Sequence, residues 1–414
     1  MEMMTYDYLI IGGGIAGVSA AETLRELEGA SQIGIVSNEP HILYSRVLLP
    51  SYLKNRIPRE QLFLRHEDDF TAKRIDVHLG GEAAFVDIKR REVLLKNGMR
   101  FGYGKLLLSA GGQVRAWGET PEENQDIIYR LHTLDDADRL KENLDAIRDP
   151  IVIGGSFIAL EFLEIFVLNR LPPLLLCKDQ GMLNGWLEGQ GSDLLSSRFR
   201  QEGIVVQFGD AVKEIQRKES GMRVITNGLR QFSAGAIALG IGIERNLTFL
   251  KDSGIELGKK GIRTSEFLET NIPGVFAAGD IAEFFDAIKG EYRALGNWTN
   301  AVLQGKCAAK NMAGVSSSFR SVSGYSISNF GLHITILGDY EGADESIVRV
   351  EPIQNRYERL FLRKGILTGA ALINRFQDKP YLSRLIETRT PLGEETRREL
   401  RNPQFDIRQI PVVG

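Results

Sequence analysis

Cysteine is nearly missing from this chain: 414 residues contain two, Cys177 and Cys307, far apart and in no C-x-x-C pair. That speaks against an iron–sulfur cluster or a cysteine zinc site carried by the chain itself. Histidine is also scarce. The five present do not cluster, so neither a metal centre nor a Ser–His–Asp system is supported. Positive charge is not in excess, with a net charge of -3, and a general nucleic-acid binder would need the opposite. No basic segment precedes the first apolar run in MEMMTYDY, so no secretory leader is read. The most membrane-like stretch, residues 151–168, is opened by Gly154-Gly155 and interrupted by Glu161 and Glu164. A buried strand and helix, with no membrane insertion, is the better reading. Such low cysteine usage suits a reducing compartment, and the cytoplasm is the expected location. The remaining composition, 43% hydrophobic and 25% charged, is that of an ordinary globular protein. The length suggests about two or three domains.

The opening residues are the most informative. An apolar run, Tyr8-Leu9-Ile10-Ile11, feeds directly into Gly12-Gly13-Gly14-Ile15-Ala16-Gly17. An alanine-rich helical pattern follows through Ala20, Ala21, Leu24 and Leu27. In a G-x-G-x-x-G turn the first glycine permits the tight bend and the second lets backbone approach a pyrophosphate. The third lets helix and strand pack closely. The phosphates then lie on free N–H groups at the positive end of the helix. A second strand is expected over residues 32–36. Glu39 follows about twenty residues after the last glycine, where an acid takes ribose hydroxyls.

The layout recurs. Ile151-Val152-Ile153-Gly154-Gly155-Ser156-Phe157-Ile158-Ala159-Leu160-Glu161 again joins a β-branched strand, a glycine turn and an apolar helix. This copy is degraded. Ala159 in the third glycine position is tolerated, but Ser156 in the second puts a side chain where a pyrophosphate must come close. At the end of the next strand Cys177 and Lys178 stand where an acid for the ribose of NAD is expected. Asp179 comes slightly late but within reach, and Lys178 suits the 2′-phosphate of NADP. A third string, Thr270-Asn271-Ile272-Pro273-Gly274-Val275-Phe276-Ala277-Ala278-Gly279-Asp280, reads as a turn, a short strand and then Gly-Asp at a helix start. Asp280 there can cap the helix or accept hydroxyls from a ligand.

With these motifs in this order the chain resembles the pyridine nucleotide–disulfide oxidoreductase superfamily, in its rubredoxin reductase, ferredoxin reductase and nitrite reductase branch. The resemblance covers nearly the whole chain. It also rests on Ser109-Ala110-Gly111-Gly112 after a strand at 106–108, on Tyr44-Ser45-Arg46-Val47-Leu48-Leu49-Pro50, on Asn297-Trp298, and on a helix through Gly305, Ala308, Asn311 and Gly314. It implies FAD on the first fold. Gly12, Gly14, Ile15, Ala16 and Gly17 would hold the pyrophosphate, Glu39 the adenosine ribose, and Arg46 would lie along the dinucleotide. Ala83 would meet adenine through its backbone. Ser109, Ala110, Gly111 and Gly279 would line the cofactor, Asp280 would take its ribityl chain, and Trp298 would lie near the isoalloxazine. NADH or NADPH would use Gly154, Ser156, Phe157, Ile158, Lys178 and Gly242, with Glu161 beside the nicotinamide. Two departures are visible: Arg245 stands where relatives usually carry proline, and no cysteine occurs in residues 41–50, where thiol-using relatives place one.

The expected fold class is α/β. Two Rossmann-like domains are expected, with FAD on residues 1–112 and 243–318 and a nicotinamide fold inserted at 113–242, led in by a helix at 135–147. Ser316-Ser317-Ser318 marks a boundary. Residues 319–414 read as an α+β interface domain. In it strand 357–363 turns at Lys364-Gly365 into strand 366–373, and a helix follows at 379–386. The expected function is an NAD(P)H-dependent FAD oxidoreductase. It would hand electrons to a small rubredoxin- or ferredoxin-like redox protein or to a partner subunit, since no thiol pair or cluster here can carry them onward. Two alternatives stand beside it: a direct NAD(P)H oxidase or quinone reductase, and a non-catalytic flavin-binding subunit with a decayed nicotinamide site. A homodimer is compatible with the resemblance. Arg397, Arg398, Arg401 and Arg408 are candidates for partner docking, against a plain solvated helix face balanced by Glu394, Glu395 and Glu399.

Overall fold

The computed structural model describes residues 3–117, 126–218 and 221–412. They fall into two compact units. One takes in Met1–Leu48, Pro58–Gln113 and Ile243–Ser321, and the other Leu49–Ile57, Val114–Gly242 and Val322–Gly414.

The first unit is organised by β1 (Met4–Ile11), whose Leu9, Ile10 and Ile11 are buried on both faces, as a central parallel strand requires. It pairs in parallel with β2 (Ile33–Val36) on one side and β6 (Arg100–Leu108) on the other. β3 (Ile75–His78) extends the sheet beyond β2. β6 serves two partners. Its first half pairs antiparallel with β5 (Glu92–Leu95), which carries β4 (Ala83–Asp87), and Leu106 to Leu108 take up the strand Val275–Ala277 in parallel. One face of the sheet is covered by α1 (Ile15–Leu27) and the helix Trp298–Met312, through Ala20, Leu24, Ala308 and Met312. Small residues let these helices approach: a Cβ at Gly305 would lie 2.2 Å from the Ala16 carbonyl oxygen.

In the second unit five parallel strands run in the order Val205–Phe208, Leu174–Cys177, Pro150–Ile153, Ala236–Leu239, Ile128–Tyr129. The helix expected at 135–147 spans Leu134–Asn143, opened by a capping box between Thr133 and Asp136. The membrane-like run is the strand Pro150–Ile153 and the helix Phe157–Leu168, in which every residue from Ala159 to Phe166 is buried. A helix covered all round needs no polar face. The same unit carries a five-stranded antiparallel sheet, in the order Gly324–Asn329, Leu332–Gly338, Ile366–Ile373, Arg356–Arg363, Glu345–Glu351. Its Lys364-Gly365 turn has φ of 52° and 72°. The helix Lys379–Thr388 and the buried Leu400, Ile407 and Ile410 pack on one face.

One feature differs from the sequence expectation. Gly279-Asp280 opens no α-helix: Gly279–Ile281 is a single 3-10 turn that runs straight into the strand Ala282–Asp286. The reason is tertiary. Ala282 and Phe284 pair with Ile262 and Thr264 of the strand Ile262–Thr264, and that ladder takes the backbone a helix would have used. Leu49–Ile57 belongs to the second unit. There the short helix Leu49–Leu53 packs on the helices Leu134–Asn143 and Phe157–Leu168.

The antiparallel sheet contains a fully buried ion pair. Arg349 and Glu358 are direct cross-strand partners, 2.6 Å apart with side chains 0% exposed. Arg349 also donates to the carbonyls of Pro403 and Phe405 at 3.1 and 2.6 Å, fastening the C-terminal stretch to the sheet. Burial pushes the Glu358 carboxyl up to about 7, with Asp378 adding to the rise and Arg349 and Arg375 opposing it. A carboxyl raised on folding stabilises fully below its unfolded value near 4.5 and loses that contribution as pH rises through about 7. The loss is roughly 3 kcal/mol. Urea melts of the protein and of Glu358→Gln are therefore expected to differ in slope with pH. Relative to the variant, the native protein should lose about that amount between mildly acid and mildly alkaline solution. A difference independent of pH would show that Glu358 does not titrate in this range.

Candidate functional site

In the first unit the glycine turn has two contacts only glycine allows. Gly12 has φ 117° and a Cβ there would lie 2.3 Å from the Ser109 carbonyl oxygen; one at Gly17 would lie 2.0 Å from the Gly12 oxygen. Gly14 is different, with nothing within 4 Å of its Cβ position. It is also the N-cap of the 13-residue α1, and no side chain caps that end. The turn thus presents an uncapped helix N-terminus beside open space, which fits a pyrophosphate. Ser109 supports the turn from behind, its Oγ donating to the Ile11 and Gly12 carbonyls at 3.1 and 3.3 Å. Ala110 is exposed, and Gly111 has φ 68°.

Charged groups gather around this turn. Glu39 is paired with Arg46 and accepts from the Tyr44 hydroxyl. Burial raises the Asp280 carboxyl above the usual range, while the Arg245 and Arg46 guanidiniums pull it down. Arg245 also donates from Nε to the Asp280 main-chain carbonyl, so this residue, unlike a proline, fixes the Asp280 backbone. A Cβ at Gly279 would sit 3.1 Å from the Ala16 Cβ, so the Gly279-Asp280 turn lies against the start of α1. The fully buried Gln304 accepts from the Gly279 N–H at 2.8 Å; sequence reading did not single it out. Ala83 opens β4 and Trp298 opens its helix, both half-buried. No hydrogen bond or ion pair among the described residues joins either to the charged group.

The second unit repeats the close approach and changes the rest. Gly154 has φ 123° and its Cβ position lies 2.2 Å from the Gly240 carbonyl oxygen. At the third motif position Ala159 keeps its methyl because the neighbouring strand end supplies the glycine: a Cβ at Gly240 would be 2.7 Å from that of Ala159. The Ser156 side chain is turned inward as the N-cap of Phe157–Leu168. Its Oγ donates to the Gly240 carbonyl at 2.8 Å and accepts from the Ala159 N–H at 3.3 Å. It therefore occupies one of the amides an anion would use. The Phe157 ring packs on Tyr325, centroids 4.5 Å apart, and Ile158 is half-buried beside it in sequence. Gly242 is exposed with φ 89°, its carbonyl bound by the Arg115 N–H. At the end of Leu174–Cys177, Cys177 is buried and its thiol is pushed up by burial, whereas Lys178 is exposed.

Behind this turn lies a buried ionic cluster in which sequence reading assigned a functional role only to Glu161. Glu161 and Glu164, one helical turn apart, both pair with Nζ of Lys54, whose side chain is 2% exposed. Arg56 reaches Glu164 at 3.6 Å. From the strand Gly324–Asn329, Asn329 Nδ2 donates to Glu161 at 3.1 Å and Glu164 at 3.2 Å, and the Phe330 N–H donates to Glu164 at 2.7 Å. Tyr325 joins the group electrostatically, its hydroxyl pushed up to about 12 by burial and by the charge of Glu161. The signal available in the sequence was two acids at i, i+3 in an otherwise apolar helix.

Of the four C-terminal arginines proposed as docking candidates, three are paired within the chain. Arg397 and Arg401 both pair with Glu345, at 2.6 and 2.9 Å, and Arg408 pairs with Asp406 at 2.7 Å; Arg398 is exposed. Among the described residues no group of three His, Cys, Asp or Glu could hold a metal ion, and no helix is long and apolar enough to cross a membrane.

Known proteins resemble this chain over most of its length. Residues 6–305 match the family described as pyridine nucleotide-disulphide oxidoreductase, and residues 328–411 match one described as reductase C-terminal. Rhodocoxin reductase of Rhodococcus erythropolis is 27% identical over 410 residues, covering 97% of this chain and 93% of its own. Apoptosis-inducing factor 3 of Mus musculus is 26% identical over 371 residues, and the match spans 89% of this chain but only 61% of that protein. Among solved structures, the ferredoxin reductase for the CYP199A2 system from Rhodopseudomonas palustris aligns with a TM-score of 0.90 at 23% identity, over 97% of this chain and 99% of the other. That likeness speaks for the fold.

The capped second turn yields a test. Ser156→Gly should cost the fold only a few tenths of a kcal/mol, as glycine is itself a fair N-cap, while freeing the Ala159 amide and opening the turn. Dissociation constants for NADH and NADPH, measured by titration, should fall; a tenfold gain corresponds to about 1.4 kcal/mol. Equal constants for variant and native protein would show that the serine is no obstacle.

Proposed function

This chain belongs to the pyridine nucleotide-disulphide oxidoreductase family, and from that membership we propose that it is an FAD-dependent oxidoreductase that takes hydride from NADH or NADPH and passes the electrons to a separate redox protein or partner subunit. The family uses FAD and NAD(P)H. The observation that carries the reading is the uncapped turn at Gly14 with Glu39, Arg46 and Asp280 gathered around it. That set suits a dinucleotide with a polyhydroxyl chain: free amides for the pyrophosphate, a fixed positive charge along it, and carboxylates for hydroxyls.

When bound, the flavin supplies the hard chemistry, accepting a pair of electrons and releasing them singly. The chain's own residues bind and orient. In this reading residues 1–112 and 243–318 hold FAD, 113–242 hold the nicotinamide coenzyme, and 319–414 form the interface domain. Gly154, Phe157, Ile158 and Gly242 shape the coenzyme turn, and Lys178 meets a 2′-phosphate if NADPH is the donor. Glu161 stands beside the nicotinamide and Trp298 near the flavin. No catalytic acid or base is required for hydride transfer itself.

The acceptor is assigned to another protein because this chain has no place to store the electrons. Residues 41–50 contain no cysteine, and Cys177 and Cys307 are both buried free thiols. A small ferredoxin- or rubredoxin-like carrier is the partner this favours, and a relative from Sphingomonas carries the name ferredoxin–NAD(P)(+) reductase. The cytoplasm is the proposed location.

The purified protein should be yellow and release FAD, not FMN, on denaturation. Anaerobic NADH or NADPH should bleach it, and stopped-flow mixing of the reduced protein with ferredoxin or rubredoxin should restore the colour faster than oxygen or a quinone does. FMN, or no flavin after reconstitution, would remove the foundation of this reading. Full-rate reoxidation by oxygen or quinone, with no gain from any carrier protein, would move the assignment to an oxidase or quinone reductase.

A further inference from the structure

We propose that Asn329 is a positioning residue for Glu161, making the strand Gly324–Asn329 a working part of the nicotinamide site. The inference rests on the reading of Glu161 given above and adds a residue that no motif pointed to.

Asn329 is 0% exposed. Its Nδ2 has three acceptors in range: Glu161 Oε2 at 3.1 Å, Glu164 Oε2 at 3.2 Å and the Leu160 carbonyl at 3.5 Å. Its Oδ1 has no hydrogen-bond partner among the described residues. Flipping the amide would set an oxygen against two carboxylates, so the chemistry fixes the orientation. An orphaned buried acceptor disfavours the folded state. An apolar side chain could fill the same place without that penalty, so packing does not account for asparagine here. What the asparagine supplies is a neutral donor shared by two carboxylates.

The two carboxylates depend on it unequally. Glu164 is held by Lys54, by the Phe330 N–H and by Arg56 as well as by Asn329. Glu161 has two holds, Lys54 and Asn329. Lys54 is also drawn to Glu164, so the ammonium alone does not set where Glu161 points. Removing the amide leaves Glu164 largely fixed and frees Glu161 to follow the lysine. A displacement of this kind at a group beside the reacting ring lowers the rate more than it weakens binding.

Asn329→Asp tests this in a way a purely structural role would not mimic. The new carboxyl has the same shape, donates one hydrogen bond when protonated and none when ionised. Anaerobic stopped flow would follow flavin reduction by NADH and by NADPH across mildly acid to mildly alkaline pH, with dithionite reduction and flavin content as controls. Expected is a limiting rate reduced about tenfold or more at the alkaline end and recovering as the solution is acidified, with half-saturation changed less. The native protein should lack that recovery. Asn329→Ala, which adds no charge, is the second variant, expected to be slow at every pH and to serve alone if the aspartate variant does not retain flavin. Native-like nicotinamide rates in both variants, or dithionite reduction slowed in parallel, would overturn the proposal. If the native flavin is bleached by neither coenzyme, the reading of the function fails instead, and the two failures are distinguishable.

Discussion

At two strand ends of this protein the backbone passes so close to a neighbouring strand that no side chain fits between. Gly12 runs against the Ser109 carbonyl and Gly154 against that of Gly240, with positive φ at both glycines. The contact decides where each following helix starts and fixes the end of the strand beside it. In the first unit it sets the carboxyl end of β1 level with that of β6, where Ile11 pairs with Leu108. The segments that follow β2, β6 and Val275–Ala277 supply Glu39, Ser109 and Asp280 at that same end of the sheet. A parallel sheet with its crossovers on the faces leaves this edge as the place where loops from distant parts of the chain can meet.

The same constraint does not give the same chemistry twice. At the first turn the helix begins on a glycine, and its leading amides have no side chain of their own to bond. At the second it begins on Ser156, whose hydroxyl bridges the Ala159 amide and the Gly240 carbonyl. A cap of this kind stabilises a helix by about 1 kcal/mol, and an anion must compete with it. One turn is therefore shaped for a ligand held tightly, the other for one held against a competing internal bond. The proposed function, with a resident cofactor on the first turn and an exchanging co-substrate on the second, would call for that difference.

Local signals carried much of this far. The β1–α1 turn, the strand ending at Val36, the hairpin turning at Lys364-Gly365 and the helix beginning at Lys379 were all legible, because each is written in adjacent residues as periodicity, turn glycine or β-branching. Gly279-Asp280 misled for the same reason: it looks locally like a helix start, and only its ladder with Ile262–Thr264 shows otherwise. Lys54 and Asn329 were invisible. Nothing about a lysine in Leu49–Ile57, or an asparagine ending a strand, marks it as buried; that depends on two carboxylates from a helix far away in the chain. The pairing of Arg397 and Arg401 with Glu345 was likewise not legible, since Glu345 lies on a strand about fifty residues earlier in the chain.

Two buried ionic groups in the second unit show how function separates from structure. Arg349 and Glu358 stand directly opposite each other in one ladder, one positive charge to one negative, with main-chain carbonyls of the C-terminal stretch accepting further bonds from Arg349. Its components come from one sheet and the segment it fastens, and it is balanced within itself. The cluster at Glu161 has two carboxylates to one fully enclosed ammonium, with the compensating Arg56 half-exposed at its margin. A buried excess of one sign is costly, and a group needed only to hold three segments together would do better with fewer charges or none. The excess lies one turn into the helix behind the second glycine turn, where the proposed function would place the nicotinamide. The imbalance that weakens this cluster as an anchor would suit it to a neighbour that turns positive on giving up a hydride.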